Sequence, residues 1–108
     1  MSIDGLTPFD IPRLGRTFPP MLLTSIEIAE ALRSLPGWSS DGKALHRTYR
    51  FADFPSAVQF VNRLVAPAEA LNHHPDITLS YNKVALSLTT HDAGGLTRKD
   101  LALARALA

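Results

Sequence analysis

The chain has 108 residues, of which 45% are apolar and 19% charged, with a formal net charge of +1. This length suits one domain, and the near-neutral charge excludes the broad electrostatic attraction that direct nucleic-acid binding needs. The absence of cysteine excludes disulfides, thiolate chemistry and Cys-ligated zinc. No apolar run approaches the roughly 20 residues of a membrane-spanning helix, and no secretory signal is visible, so we expect a cytoplasmic protein without a membrane partner.

Residues 1–22 contain Pro8, Pro12, Pro19 and Pro20 and show neither a helical nor an alternating apolar period. This composition predicts an extended, proline-rich N-terminal arm that lies outside the core. Residues 23–108 are then expected to form the folded domain.

The domain is predicted to begin with a helix and a hairpin. Thr24–Glu27 has the pattern of a capping box, and the helix that it starts should end before Pro36. Asp41-Gly42 is a dipeptide that accepts positive φ in two-residue hairpin turns, and apolar residues alternate with polar ones across 43–51. The sequence therefore predicts an antiparallel hairpin with one buried face.

A longer second helix is expected to begin at Asp53, a good N-cap residue, because apolar residues then recur every three or four positions as far as Leu71. Pro67 lies inside this helix. It has no N–H to donate to the carbonyl of Arg63, and its ring crowds that turn, at a cost on the order of 3 kcal/mol. We therefore expect a kink at Pro67.

Two further strands and a helix complete the chain. Apolar residues alternate with polar ones at 77–81 and 84–88, on either side of a tight turn near Asn82. Thr97 is placed to cap a last helix whose apolar side includes Leu101. The order αββαββα predicts an α+β fold in which a four-stranded antiparallel sheet carries its helices on one face.

Three of the four histidines converge in this arrangement. Pro75 disfavours the helical conformation at the residue before it, so the helix should end there and the rings of His73 and His74 should diverge. A turn near Asn82 pairs residues whose numbers add up to about 164, which carries His91 back beside His73. Because imidazole exchanges protons near neutral pH, the cluster predicts a proton-transfer site.

Two carboxylates lie near these histidines in the predicted fold. Glu69 precedes His73 by four residues, so on a continuous helix it would share the face of His73 and orient that ring. Asp100 is a second candidate, although a carboxylate in a first helical turn commonly only complements the helix dipole. His46 lies at a polar strand position and is predicted to be a surface residue.

Two kinds of chemistry suit three imidazoles. They are able to hold Zn²⁺ with an open position for water, or to act as acid, base and hydrogen-bond donor around an organic substrate. Adjacent histidines with divergent rings are poor ligands for one ion, and no HExxH pattern is present. A metal-free site is therefore favoured over a His-ligated zinc hydrolase.

Between about residue 21 and the C-terminus, several short motifs lie at characteristic spacings from one another. They are Gly37-Trp38, Glu69, His73-His74-Pro75, Tyr81-Asn82-Lys83-Val84, Thr90-His91, Gly95-Leu96 and Asp100. The set closely resembles the pterin-4a-carbinolamine dehydratases. The tripeptide alone is a weak signal, but the combined spacings are specific, and only the arm lies outside the resemblance.

The resemblance implies a lyase that dehydrates 4a-hydroxytetrahydropterin to quinonoid dihydropterin, in tetrahydropterin recycling after aromatic amino-acid hydroxylation. It implies that His73 and His91 donate and accept protons beside C4a and that His74 binds and polarises the pterin. Glu69 and Asp100 would orient these imidazoles. Such acid–base chemistry requires neither a cofactor nor a metal.

The implied partners are the pterin, further copies of the chain and, through function, phenylalanine hydroxylase. Family members self-associate as dimers, or as tetramers made from two dimers whose sheets join edge to edge. A non-catalytic role stays open, because relatives act as dimerisation cofactors of a homeodomain transcription factor. Trp38 either lines the pterin site or packs in the core.

Overall fold

The computed structural model describes residues 21–107, in which helices and strands follow the predicted order. The helices are α1 (Ser25–Leu32), α2 (Phe54–Arg63), α3 (Val65–Ala70) and α4 (Arg98–Leu107), with a 3₁₀ turn at His91–Ala93. The strands are β1 (Ser39–Ser40), β2 (Leu45–Arg50), β3 (Asp76–Ser80) and β4 (Lys83–Leu88).

The strands form one antiparallel sheet in the order β1-β2-β4-β3. Strand β4 buries every second residue, namely Val84, Leu86 and Leu88. These side chains join a core that includes Leu35, which follows α1, and Leu103 of α4. The predicted α+β fold, with helices on one face of a four-stranded sheet, is confirmed. Strand β3 forms a free edge of this sheet.

The starts of the first two helices are capped as predicted. The hydroxyl of Thr24 accepts the N–H of Glu27 at 3.1 Å, and the Glu27 carboxylate accepts the N–H of Thr24 at 2.8 Å. Asp53 accepts the N–H of Ser56 at 2.9 Å. These side chains satisfy N–H groups that a helix leaves unpaired in its first turn.

The turn of the first hairpin is longer than the two residues predicted. Ser40 pairs with Leu45, so residues 41–44 form the loop. The Asp41 carboxylate accepts two backbone N–H groups within this loop, both at 2.9 Å, and Gly42 has the expected positive φ, 93°. The Asp41 side chain thus stabilises a wider turn than the dipeptide pattern predicts.

The long second helix is interrupted one turn before Pro67. Helix α2 ends at Arg63 and α3 begins at Val65, with Leu64 between them. Pro67 is the third residue of α3, and the carbonyl that it crowds and leaves without a donor is that of Arg63. The predicted kink therefore lies at Leu64. Val65, one of the apolar residues whose spacing predicted the helix, is 60% exposed.

The connection between β3 and β4 is a two-residue turn, Tyr81-Asn82, in which Tyr81 has a φ of 50°. Asp76 pairs with Ser87, so the numbers of paired residues add up to one less than predicted. This shift of one residue does not separate the strand ends. Residues just before β3 still lie opposite residues just after β4.

The predicted arm at residues 1–22 lies outside the described residues except for Met21 and Leu22, which are exposed. Leu23 then donates its N–H to the carbonyl of Leu96 at 2.8 Å, which ties the start of the domain to the segment before α4. Across residues 21–107, no helix has the length and apolarity needed to span a membrane.

Candidate active site

The end of α3 sets the directions of the two adjacent histidines. Asn72 has a left-handed φ of 49°. Its N–H donates to the carbonyl of Glu69 at 3.1 Å, while the N–H of His73 donates to the carbonyl of Ala68 at 3.0 Å. This pair of bonds is a Schellman motif, with asparagine in the position that glycine usually takes. His73 therefore lies beyond the helix and off its regular face.

His73 is bonded to a buried carboxylate. Its side chain is 10% exposed, and its Nε2 lies 2.5 Å from Oδ1 of Asp100, whose own side chain is fully buried. The second oxygen, Oδ2, accepts the hydroxyl of Thr90 at 2.8 Å and the N–H of Thr97 at 2.9 Å. Because these two donors fix the orientation of the carboxylate, the His73 ring that contacts its other oxygen is held with it.

His74 is bonded to the other predicted carboxylate. Its Nε2 lies 2.6 Å from Oε2 of Glu69, and the side chains are 59% and 67% exposed. The expectation that Glu69 shares a helix face with His73 was wrong. The helix ends before His73, and the turn at Asn72 brings His74 to Glu69 instead.

His91 begins the 3₁₀ turn that follows β4. Thr90 and Gly95 exchange backbone hydrogen bonds of 2.9 and 3.3 Å across the base of this loop, and Gly94, with a φ of 77°, reverses the chain. His91 is exposed, and no side chain in residues 21–107 forms a hydrogen bond with its ring. The loop is therefore fixed at its base while the imidazole is free to meet a ligand.

The three histidines line one open cleft of about 310 Å³, at the lower end of the range for small-molecule sites. Its lining residues are Asn72, His73, His74, Thr89, Thr90, His91, Asp92 and Lys99. The structure thus brings together the three imidazoles that antiparallel strand pairing was predicted to place close to one another. Groups able to donate and accept protons surround a space of the size of a small heterocycle.

An apolar cavity of about 240 Å³ adjoins the exposed His74–Glu69 pair. Val61, Val65 and Ile77 are among its lining residues. His74 thus lines both the polar cleft and this apolar depression, whereas Glu69 lines only the depression.

Trp38 is in the core and is not among the residues that line the cleft. Its side chain packs with buried residues of the sheet and helices, and it is 7% exposed. The alternative in which Trp38 lines the substrate site is therefore not supported, and the packing role agrees with the structure. The reason is position, since Trp38 precedes β1, at the edge of the sheet opposite β3.

Sequence reasoning missed residues that support or line the site. The hydroxyls of Thr90 and Thr97 lie 2.7 Å apart beside Asp100, and Lys99 adds a positive charge to the cleft wall. One signal was available: Thr97 and Asp100 have the spacing of a capping box, so their mutual contact could have been predicted. The position of Thr90 depends on the strand pairing.

A metal site is not preformed in the described part of the chain. Within residues 21–107, the His, Asp and Glu side chains make no group of three placed to hold one metal ion. Two of the imidazoles in the cleft are each bonded to a different carboxylate, His73 to Asp100 and His74 to Glu69. Each of these carboxylates is therefore directed at an imidazole ring and not at a shared point between the three rings.

Comparison with known proteins gives consistent matches over the described residues. The family model for pterin 4 alpha carbinolamine dehydratase matches residues 21–108. A protein from Cyanothece sp. is 55% identical over 86 residues, which cover 80% of this chain and 89% of that protein. One from Thermomicrobium roseum is also 55% identical over 86 residues, covering 80% and 92%. Both are provisionally named pterin-4-alpha-carbinolamine dehydratase.

Solved structures show the same fold. The transcriptional coactivator/pterin dehydratase from Brucella melitensis has a TM-score of 0.75 and 40% identity, covering 81% of this chain and 95% of that one. A pterin dehydratase-like protein identified as a RuBisCO assembly factor in the alpha-carboxysome has a TM-score of 0.52 and 20% identity, covering 65% and 81%. The second likeness shows the fold alone.

Proposed function

Because the chain belongs to the pterin 4 alpha carbinolamine dehydratase family, we propose that it removes water from a 4a-hydroxytetrahydropterin to give the quinonoid dihydropterin. In this reaction N5 expels the C4a hydroxyl, the leaving oxygen takes up a proton and the pterin gives one up. The observation that carries the proposal is the cleft lined by three imidazoles, one of them bonded to a buried carboxylate. Positioned acid–base groups of this kind typically contribute about 10²–10⁴-fold to a rate.

His73 and His91 are the proposed proton donor and acceptor beside C4a. They differ in setting, since His73 is held by Asp100 in the cleft wall while His91 stands exposed on the loop after β4. His74 is proposed to bind and polarise the pterin. Glu69 then supports the reaction by orienting His74, which is the ring that it contacts.

The reaction is tested with the purified full-length chain in a coupled phenylalanine hydroxylase assay. The decay of the 4a-hydroxypterin absorbance should accelerate with protein concentration, equally for a chain dialysed beforehand against a chelator and for one that was not. No acceleration over buffer by a folded sample would refute the proposal. Loss of the acceleration on dialysis against the chelator would instead support the zinc alternative.

Histidine variants test whether the activity belongs to the cleft. His73→Ala and His91→Ala should each lose most of the acceleration, by about 10²–10⁴-fold. His46→Ala is the matched control, because His46 is also bonded to a carboxylate, that of Asp41 at 3.1 Å, but is not a lining residue of the cleft. Equal losses in all three variants would point to unfolding and not to catalysis.

The proposed physiological role is tetrahydropterin recycling after aromatic amino-acid hydroxylation, with functional coupling to phenylalanine hydroxylase. The product of such a hydroxylase is the carbinolamine substrate, so coupling through the shared intermediate needs no contact between the two proteins. In the assay above, product formation by the hydroxylase should be sustained longer when the chain and a dihydropterin reductase are both present.

We also propose that the chain self-associates through β3. All five residues of this edge strand are exposed, and next to its free edge Leu79 is 37% and Tyr81 67% exposed. Edge strands of monomers are commonly protected by charged residues, prolines or bulges. Strand β3 has one charged residue, Asp76 at its start, and neither a proline nor a bulge. A second copy that pairs with this edge would cover the exposed apolar side chains and satisfy the free backbone groups.

Sedimentation measurements test this interface. Leu79→Lys should lower the mass of the assembly, because it places a charge where the edges would meet. Ile26→Lys is the control, since Ile26 is 72% exposed on α1. A wild-type monomer, or an unchanged assembly in Leu79→Lys, would contradict the proposal.

A further inference from the structure

A buried chain of hydrogen bonds runs from the start of α4 to the ring of His73. We propose that the hydroxyls of Thr97 and Thr90 are positioning groups, which hold Asp100 so that His73 carries its proton on Nε2 and keeps Nδ1 free to accept one. The rate consequence rests on the proposed dehydratase function. The tautomer of His73 is a property of the chain itself.

The proton positions follow from counting donors. Lys99 donates its N–H to the Thr97 oxygen at 3.3 Å, and the Thr97 and Thr90 oxygens lie 2.7 Å apart. Each hydroxyl has one proton, and the Thr90 hydroxyl is 2.8 Å from Oδ2 of Asp100. If Thr90 donates to Asp100, Thr97 must donate to Thr90, so every proton in the chain points towards the carboxylate.

Asp100 then acts as an acceptor on both oxygens. Oδ2 accepts the Thr90 hydroxyl and also the N–H of Thr97, at 2.9 Å. Oδ1 lies 2.5 Å from Nε2 of His73. In the proposal Asp100 is a carboxylate, which has no proton to give, so Nε2 supplies the proton of this bond and Nδ1 of a neutral ring is left with a lone pair.

Burial makes this arrangement specific. Thr90 and Thr97 are 6% and 2% exposed, and Asp100 is 0% exposed, so water has little access to replace a lost partner. In such surroundings hydrogen bonds are strong and reinforce one another, and an unpaired group is costly. Loss of a hydroxyl should therefore let the carboxylate turn and weaken its preference for a proton on Nε2.

Thr97 gives the cleaner test of the two threonines. Thr90 lines the cleft, so a change there also alters a surface that substrate touches. Thr97 is not among the cleft-lining residues and reaches the ring of His73 only through Thr90 and Asp100. Thr97→Val removes the hydroxyl at nearly constant shape and keeps the backbone N–H, while Thr97→Ser restores the hydroxyl.

The tautomer is measured by ¹⁵N NMR of the full-length protein labelled in its histidine rings. Wild type and Thr97→Ser should show His73 with its proton on Nε2, and Thr97→Val should show a detectable share of the Nδ1-protonated form. The signal of His46, which is partly exposed and lies outside the cleft, should not change between the three proteins. A wild-type His73 protonated on Nδ1 would overturn the assignment even if the Val variant did not fold.

Kinetics supply the second readout. Thr97→Val should lower kcat about tenfold, the low end for groups that orient a functional histidine through its outer hydrogen bond, with KM unchanged and Thr97→Ser close to wild type. An active enzyme whose tautomer and kcat are both unaffected by Thr97→Val would refute the inference. A wild type without dehydratase activity, but with the expected tautomer change in Thr97→Val, would refute the proposed function and leave the positioning role standing.

Discussion

His73 and His74 are adjacent in the chain, and each has its Nε2 against a carboxylate oxygen, at 2.5 and 2.6 Å. The distances are nearly equal, but the surroundings are opposite. The His73–Asp100 pair is buried with two further donors on the carboxylate, whereas the His74–Glu69 pair is more than half exposed. Water and salt compete with the exposed pair but have little access to the buried one. Contact distance is therefore a poor guide to how firmly a histidine is held.

The difference arises from the turn between α3 and β3. With Asn72 in the left-handed conformation, His73 is directed into the molecule, where α4 presents Asp100. His74 remains at the surface, within reach of the helix that has just ended. Neighbouring residues thus acquire a fixed imidazole and an adjustable one, which fits the roles proposed above, with His73 moving a proton and His74 binding the pterin.

Among the variants that test this comparison, Asp100→Asn is expected to have the largest effect on activity and stability. The side-chain NH₂ of asparagine is a donor, so it either faces the Nε2 proton of His73 without an acceptor or forces His73 into the tautomer that carries its proton on Nδ1. We expect kcat to fall by about 10²–10⁴-fold and the free energy of unfolding to fall by about 1–3 kcal/mol. The coupled assay and urea unfolding measure the two quantities. Wild-type activity in this variant would show that the buried pair is not needed.

Glu69→Gln changes the exposed pair in the same way and should matter much less. An exposed ion pair contributes at most about 1 kcal/mol, so kcat should change by no more than about fivefold. Stability should stay within about 0.5 kcal/mol of wild type. If Glu69→Gln were as damaging as Asp100→Asn, exposure would not distinguish the two pairs.

Substitutions at Asn72 test the turn that directs the side chains of His73 and His74 apart. Ala in the left-handed conformation is disfavoured by roughly 1–2 kcal/mol, while Gly adopts it without strain. Asn72→Ala should therefore be less stable than Asn72→Gly by about 1 kcal/mol in urea unfolding. Equal stabilities would mean that the positive φ is not needed to end α3.

A third histidine–carboxylate pair, His46–Asp41, extends the comparison to the dependence of stability on acidic pH. Backbone hydrogen bonding from Lys43, followed by the bond to His46, holds the pKa of Asp41 well below its ordinary value. A lowered folded pKa contributes stability above the unfolded pKa of about 4, and this contribution is lost as the pH falls towards the folded value.

The stability gap between wild type and Asp41→Asn should therefore be largest above pH about 4 and shrink in stronger acid. Urea unfolding along a pH series measures it, and Glu30→Gln, a change at another exposed carboxylate, is the control. A gap that widens in acid would contradict the sign of this pKa effect.

Local patterns predicted much of the molecule. The caps at Thr24 and Asp53, the alternation along β4 and the break caused by Pro67 depend mainly on interactions between residues close in sequence. The first hairpin turn was longer than the two residues predicted, because the Asp41 side chain stabilises a wider loop. The other errors were of one residue in the register of the β3–β4 hairpin and of one turn in the location of the kink. Both positions depend on how the helices and strands settle against the core.

The sequence by itself determined the order of elements, the end of a helix at His73-His74-Pro75 and the return of His91 to that end through antiparallel pairing. The tertiary structure alone decided which carboxylate meets which ring, because this depends on the direction of the chain after Asn72 and on where α4 packs. It also decided that Trp38 belongs to the core. Burial is a property of the assembled molecule, so only the folded chain could distinguish the held imidazole from its exposed neighbour.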